Sequence, residues 1–196
     1  SNLDFWNAVS AADQGRGYVR MADINGDGLV DRVLAQFSAP YTALNVQTNK
    51  GPFPDLLCSV DNGIGGKVTI EYVPSTTCVN TDSNGKNLLP FVMNLVTNIY
   101  VDDGVGTPAR YTYKYSGGYF DGIKKQFRGF ACVEATDPSG TKTKTFFHQD
   151  GGYDYSASGE FGDTASHSKV GIPFRIDRYG SDGLPYSSFL NKVKEV

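Results

Sequence analysis

The sequence is poor in the residues that carry most enzymatic chemistry. It holds two histidines, three cysteines and one tryptophan in 196 positions. Cys58, Cys78 and Cys132 are odd in number and form no CxxC or Cys/His pattern, which excludes zinc ligation of the usual spacing. A Cys58–Cys78 bridge is compatible with the sequence but not demanded by it; free, partly buried thiols are the simpler expectation. An excess of one charge is also missing. Eighteen Lys and Arg stand against 21 Asp and Glu, a net charge of −3, so no nucleic-acid partner is expected. The basic stretch GIKKQFRGF at 122–130 reads as a solvated loop. No apolar run approaches the roughly 20 residues that span a bilayer, so this segment is not expected to insert directly into a membrane. The chain opens on Ser1-Asn2 without a leader and reads as cut from a longer one.

Aromatic residues and glycine are plentiful: twelve Tyr, twelve Phe and 23 Gly. Aromatic, β-branched strands joined by glycine turns predict an all-β chain of antiparallel hairpins. GYVRMADINGDGLVDRVLAQF reads as strand, tight polar loop, strand, and YTALNVQTNKG (41–51) adds a short third strand. Residues 52–76 predict a hairpin turned at Asp61-Asn62-Gly63 and Gly65-Gly66, with Pro74 ending its second leg. Residues 89–103 are β-branched enough to favour strand over helix. Tyr111, Tyr113 and Tyr115 then alternate with Thr112 and Lys114. DPSG (137–140) has the residues of a type I turn, followed by the alternating TKTKTFF. The stretch 76–87 predicts a polar loop with little to pack, and 151–168 a mobile glycine- and serine-rich loop. GIPFRIDRYGSDGLPYSSFLNKV predicts a last strand–turn–strand unit around Ser181-Asp182-Gly183, and the terminal SSFLNKVKEV is compatible with a short helix.

The densest motif is DINGDGLVD. With Asp23 at position 1, Asn25 falls at 3, Asp27 at 5, Leu29 at 7 and Asp31 at 9. Positions 1, 3, 5 and 9 offer side-chain oxygens, Leu29 its backbone carbonyl, and Gly28 the sharp bend that turns them inward. Three carboxylates in nine residues repel one another unless a cation compensates. These residues are therefore candidate Ca²⁺ ligands, with a structural role. An EF-hand is excluded, because Leu34 stands where the closing glutamate belongs and the flanks are strand-like.

Catalytic constellations are absent from the pattern. Ser166, His167, Ser168 and Asp163 are neighbours in sequence, which is not the spatial convergence a triad needs. There is no GxSxG elbow, and the GIGG and GVG turns do not continue into a phosphate loop. Both histidines are expected at the surface, and no enzymatic activity is expected. A Ca²⁺-dependent adhesion or carbohydrate-binding module, with Tyr111, Tyr113, Tyr115, Tyr119 or Phe120 as stacking surfaces, is the alternative.

Several segments in order resemble a known family. PDLLCSVDNGIGGKVTIEYVPST, LPFVMNLVTNIYVDDGVG, the YxYxGGxxD…FRGF stretch within 113–130 and GIPFRIDRYGSDG are similar to the middle region of SpvB/TcB-type insecticidal toxin complex B components. The DxNxDGxxD loop resembles that of FG-GAP/VCBS-type propeller blades. The resemblance implies an FG-GAP/VCBS-like repeat at 1–51 and a toxin-complex middle region at 52–196. It further implies an Rhs-shell-like sheet that serves as non-enzymatic scaffold, secreted or displayed on a bacterial surface. Its partners would be the rest of a larger Rhs/toxin assembly, with self-association through open strand edges.

Overall fold

The computed structural model describes residues 17–36, 44–151 and 166–193. It divides into two compact units, Ser1–Asp55 and Leu56–Val196. The described residues are strands and turns, with two single 3-10 turns at Ser75–Thr77 and His167–Lys169.

The first unit is a three-stranded antiparallel meander of β1 (Gly17–Ala22), β2 (Asp31–Gln36) and β3 (Leu44–Gln47). It encloses little. Val19, Met21, Leu44 and Val46 are all exposed, and among residues 19–34 and 44–55 Asp31 alone is buried, at 0% exposure.

The second unit is one eight-stranded antiparallel sheet. Its strands are β4 (Ser59–Asp61), β5 (Lys67–Pro74), β6 (Asn94–Asp102), β7 (Ala109–Asp121), β8 (Gln126–Thr136), β9 (Lys142–Phe147), β10 (Pro173–Tyr179) and β11 (Pro185–Leu190). They lie side by side in chain order, with β4 and β11 as the edges. Aspartates and asparagines close the turns through their own carboxylate or amide oxygens. Asp61, Asp102, Asp121, Asp137 and Asp182 each accept a backbone N–H two residues on, at 2.7–3.0 Å, the local bond that draws Asp into turns.

Register sorts the side chains onto two faces. Lys114, Glu134, Lys144, Asp177 and Ser188 lie opposite one another across β7 to β11. This is a ladder of alternating charge: Lys144 Nζ is 3.2 Å from Glu134, and Ser188 Oγ donates to Asp177 at 2.6 Å. The opposite face carries Tyr115, Val133, Thr145, Ile176 and Phe189 in the same order. Among the described residues only Leu89, Leu95, Ala131 and Phe174 are buried apolar side chains.

Four expectations need correction. The polar stretch 76–87 does pack: Val79 bridges to Ser116, and Asn80 is buried, donating to the Ser75 carbonyl and accepting from the Gly118 N–H at 2.8 Å. Its asparagine substitutes for a strand partner, a role that polarity alone hides. The basic stretch 122–130 is a turn running into β8, with Arg128 only 2% exposed, so it is not a solvated loop. His148 has 0% exposure and stacks on Phe174 with ring centroids 4.8 Å apart, so it is not a surface residue. Residues 187–190 belong to β11, where pairing with β10 overrides any helical tendency. Of the glycine- and serine-rich stretch 151–168, residues 152–165 lie outside the described residues. All three cysteines are free thiols.

Candidate functional site

The acidic loop between β1 and β2 folds around its own backbone amides. Asp23 accepts from the N–H groups of Gly26 and Asp27 with Oδ1, at 2.7 and 3.2 Å, and from Gly28 with Oδ2 at 2.8 Å. Asn25 and Asp27 meet one another, Asn25 Nδ2 donating to Asp27 Oδ2 at 2.8 Å, while Asp27 Oδ1 caps the Leu29 N–H at 2.7 Å. Gly26 and Gly28 stand at φ 73° and 87°, which a side chain would resist. The bend is therefore the one the glycines predict.

Asp31 closes the loop from β2. Its Oδ2 accepts the Ile24 N–H at 2.9 Å, and its Oδ1 reaches the Asn49 N–H at 2.8 Å. The Asn49 and Ile24 amides, acting on the charged form, hold its carboxyl below the usual carboxylate range. Thus Asp23, Asn25 and Asp27 come together, and Asp31 fastens the loop to the chain after β3. Among the described residues no three His, Cys, Asp or Glu side chains converge as a metal-holding group. Asp23 Oδ1 already takes two N–H groups and every other carboxylate oxygen of the loop at least one, so a cation would use the lone pairs left on those other oxygens.

A second polar cluster lies where β7 and β8 meet. Gly117, at φ 68°, and Gly129, at φ 82°, interrupt the regular pairing of these strands, which slips between Gly118 and Phe120. Such bulges re-aim side chains. The Arg128 side chain is fully buried: Nη2 donates to Asp121 Oδ2 at 2.9 Å and lies 3.9 Å from Asp150. The Lys124 N–H and the Arg128 guanidinium together hold the Asp121 carboxyl below the usual range. Gln149 ties the bulges together, its Nε2 donating to the carbonyls of Gly117 and Gly129 at 2.7 and 2.9 Å. The sequence reading missed Arg128. A glycine inside an otherwise aromatic strand, as in FRGF, is the signal that could have found it.

His167 is engaged by the buried arginine. Arg128 Nη1 lies 2.6 Å from His167 Nδ1. A guanidinium cannot accept a hydrogen bond, so Nδ1 is the acceptor and the proton of the neutral ring is on Nε2. That leaves no ring nitrogen free to take a proton from a serine. The Ser166 and Ser168 hydroxyls lie 3.0 Å from each other, and Asp163 is outside the described residues. The tyrosine stripe is only partly open: Tyr115 packs on Phe130 at 5.2 Å, Phe120 packs on Phe91 at 5.5 Å, and Tyr111 is 38% exposed. A depression of about 410 Å³ on the small sheet is lined by Arg32, Leu34, Asn45, Val46 and Gln47, with no general base among them.

Comparison with known proteins places these features. No curated protein matches the chain. Among solved structures, TcdB2-TccC3-TEV matches with a TM-score of 0.66 at 21% identity, covering 88% of this chain and 11% of that one. TcdB2-TccC3 without its hypervariable C-terminal region matches at 0.65 and 20% identity, with the same coverage. The Tc holotoxin pore of Photorhabdus luminescens, carrying a TccC3 variant, matches at 0.64 and 20% identity, again over 88% of this chain and 11% of that one. These likenesses fix the all-β, antiparallel fold, and the chain spans about a ninth of the length of each structure. The family described as the insecticide toxin TcdB middle/N-terminal region matches residues 8–155, well over half of the sequence, and the chain belongs to that family.

Proposed function

We propose that the chain is a non-enzymatic structural segment of an exported toxin complex of the Tc kind, a length of sheet that other parts of a larger assembly cover. The observation that carries this reading is the apolar face of the large sheet. Its row from Tyr115 to Phe189 stays half-buried to exposed, Phe189 at 62%, and only four apolar side chains are buried among the described residues. A covering surface gains roughly 25 cal/mol for every Å² of this face it removes from water. The β11 edge adds to the argument. It is six residues long, uncharged and exposed throughout, without the charges that keep edges from pairing.

The test is the behaviour of the chain alone. It should self-associate in light scattering and bind a hydrophobic dye, and co-expression with the flanking parts of its parent protein should suppress both. A monodisperse monomer that binds no dye would remove the scaffold reading. The same reading makes β1 to β3 a propeller-type repeat of FG-GAP kind, the large sheet an Rhs-like shell segment, and the protein secreted or surface-displayed. The family membership and the antiparallel fold support it.

The loop at 23–31 completes the proposal as a weak structural Ca²⁺ site. Asp23, Asn25, Asp27, Asp31 and the Leu29 carbonyl would supply oxygens, with Asp31 also fastening the loop. The glycine-bent arc that draws Asp23, Asn25 and Asp27 together supports this. Affinity should fall in the range of extracellular modules, about 10⁻⁴–10⁻³ M. Saturating Ca²⁺ should raise the melting temperature by ligand linkage, and Asp27→Ala should abolish the gain. Identical melting with Ca²⁺ and with chelator would leave a polar turn closed by amides alone.

A further inference from the structure

Two turns at one end of the large sheet repeat one pattern. Asp61-Asn62-Gly63-Ile64-Gly65 leads from β4 to β5, and Asp102-Asp103-Gly104-Val105-Gly106 leads from β6 to β7. In each, the leading aspartate accepts the N–H of the first glycine, at 2.7 Å for Gly63 and 2.8 Å for Gly104. The second residue accepts the N–H of the aliphatic one, Asn62 from Ile64 at 2.9 Å and Asp103 from Val105 at 3.0 Å. Register sets the turns side by side, because Lys67 of β5 lies opposite both Asp61 and Asp102. They meet through backbone: a Cβ on Gly104 would stand 2.8 Å from the Gly65 carbonyl oxygen. The turns thus hold two aliphatic side chains outward on fixed backbone. Ile64 is 90% exposed and Val105 91%, so neither packs on the sheet.

We infer that Ile64 and Val105 form a twin apolar knob that docks into an aliphatic socket rimmed by Lys or Arg on another part of the parent assembly. The inference rests on the scaffold reading and names a partner surface for it.

Charge selects this occupant. Residues 61–67 and 102–106 carry three carboxylates, Asp61, Asp102 and Asp103, against the one amine of Lys67. The Val105 and Gly106 amides hold the Asp103 carboxyl below the usual carboxylate range, so the rim stays charged at neutral pH. A second copy meeting this one tip to tip would face its own negative charge, and an anionic bilayer surface would be repelled in the same way. The tips also lack the Trp and Tyr that anchor proteins at a membrane interface. A socket with a cationic rim answers both the apolar tips and the acidic surround. Because the caps fix the turns before contact, docking orders only two short side chains and loses little entropy.

Cross-linking in the assembled parent protein tests the knob. A diazirine amino acid is placed at 64, at 105, or at Ile123, a comparably exposed position beyond the far end of β7. Positions 64 and 105 should both mark one segment in which Lys or Arg flanks aliphatic residues, and position 123 should not reach it. Ile64→Ser and Val105→Ser should each weaken binding of this chain to the rest of the parent protein about tenfold, from leaving one aliphatic side chain without its socket. The melting temperature of the chain alone should not change, since neither side chain packs on the sheet. Cross-links to different segments, or to one without cations, would overturn the knob. Full binding by the Ile64→Ser/Val105→Ser double variant would overturn it alone and leave the scaffold reading intact. No binding by the wild type would remove the scaffold reading and the knob with it. Self-association, or attachment to phosphatidylcholine vesicles, that the double variant loses would assign the tips to a second copy or to lipid and overturn the socket.

Discussion

The two sheets solve the same problem with different means. Among residues 19–34 and 44–47 the three-stranded sheet buries no apolar side chain; a buried carboxylate, Asp31, joins its loop to the chain after β3. The eight-stranded sheet has a small apolar core among its described residues and, beside it, a buried ion pair and two polar side chains, Asn80 and Gln149, that stitch bulges and loops together. The lesson is that neither sheet is fastened mainly by oil. Hydrogen bonds to buried or charged groups are strong only while both partners stay in place, and removing one leaves the other stranded. Such sheets hold a defined shape while leaving apolar faces open, which suits a part made to be covered.

The widest separation between the units should come from Arg128→Met. It leaves Asp121 and Asp150 without their buried cation and should destabilise the large sheet by about 3–5 kcal/mol. Denaturant titration followed by amide exchange would show the cost across β7 to β10, with Ile24 and Asn49 in the small sheet unaffected. Equal loss in both units would mean that they unfold as one body, and the comparison would fail. Gly118→Ala comes next. A methyl group there would meet Asn80 Oδ1 and Phe130 Cε1 at 2.9 Å and Leu89 Cδ2 at 3.1 Å. Overpacking of this kind costs about 1–3 kcal/mol, and a stability equal to wild type would show that the 76–89 loop is free to move aside.

How much of this was legible in the sequence follows from which interactions are local. Turns are local, so the Asp61-Asn62-Gly63, Asp137–Gly140 and Ser181–Gly183 reversals stood out, and with them the order of the strands. The arc of Asp23, Asn25 and Asp27 is local too. Arg128, His148 and Asn80 were not legible, because their burial depends on partners 7 to 39 positions away, such as Asp121, Gly118 and His167. Hydropathy assigns such residues to water. The glycines at 117, 118 and 129 were the trace of the bulges, and the YxYxGGxxD…FRGF stretch that carried the resemblance contains Asp121, Arg128 and those three glycines.

A smaller effect belongs to the small sheet. Asp31→Asn keeps one acceptor oxygen and turns an amide donor toward a second donor, so either Ile24 or Asn49 should lose its exchange protection. The pH dependence carries a sign. A carboxyl held below its ordinary range stabilises the fold above the unfolded value of 3.8, and that stability drains away as the pH falls through the folded value. Wild-type protection of Ile24 and Asn49 should therefore decay below about pH 4, and that of the asparagine variant should not follow it. Parallel decay in both proteins would assign the acid sensitivity elsewhere. Asp121, Asp137 and Asp177 are held low as well, so the large sheet should lose stability over the same window.

The smallest effect separates the ladder from the buried cluster within the large sheet. Lys144 lies opposite both Glu134 and Asp177, 3.2 Å from the former and 5.6 Å from the centre of the Tyr179 ring. Its side chain is 38% exposed, so solvent screens the pair, and Lys144→Met should cost at most about 1 kcal/mol. The Glu134 hydrogen bond raises the Lys144 amine above its ordinary value. Its contribution is therefore complete below the unfolded value of 10.5 and is lost as the pH climbs through the folded one. Wild type and Lys144→Met should differ in stability at pH 8 and converge in strong alkali. A cost as large as that of Arg128→Met would show that the exposed ladder, and not the buried bulge, holds these strands in register.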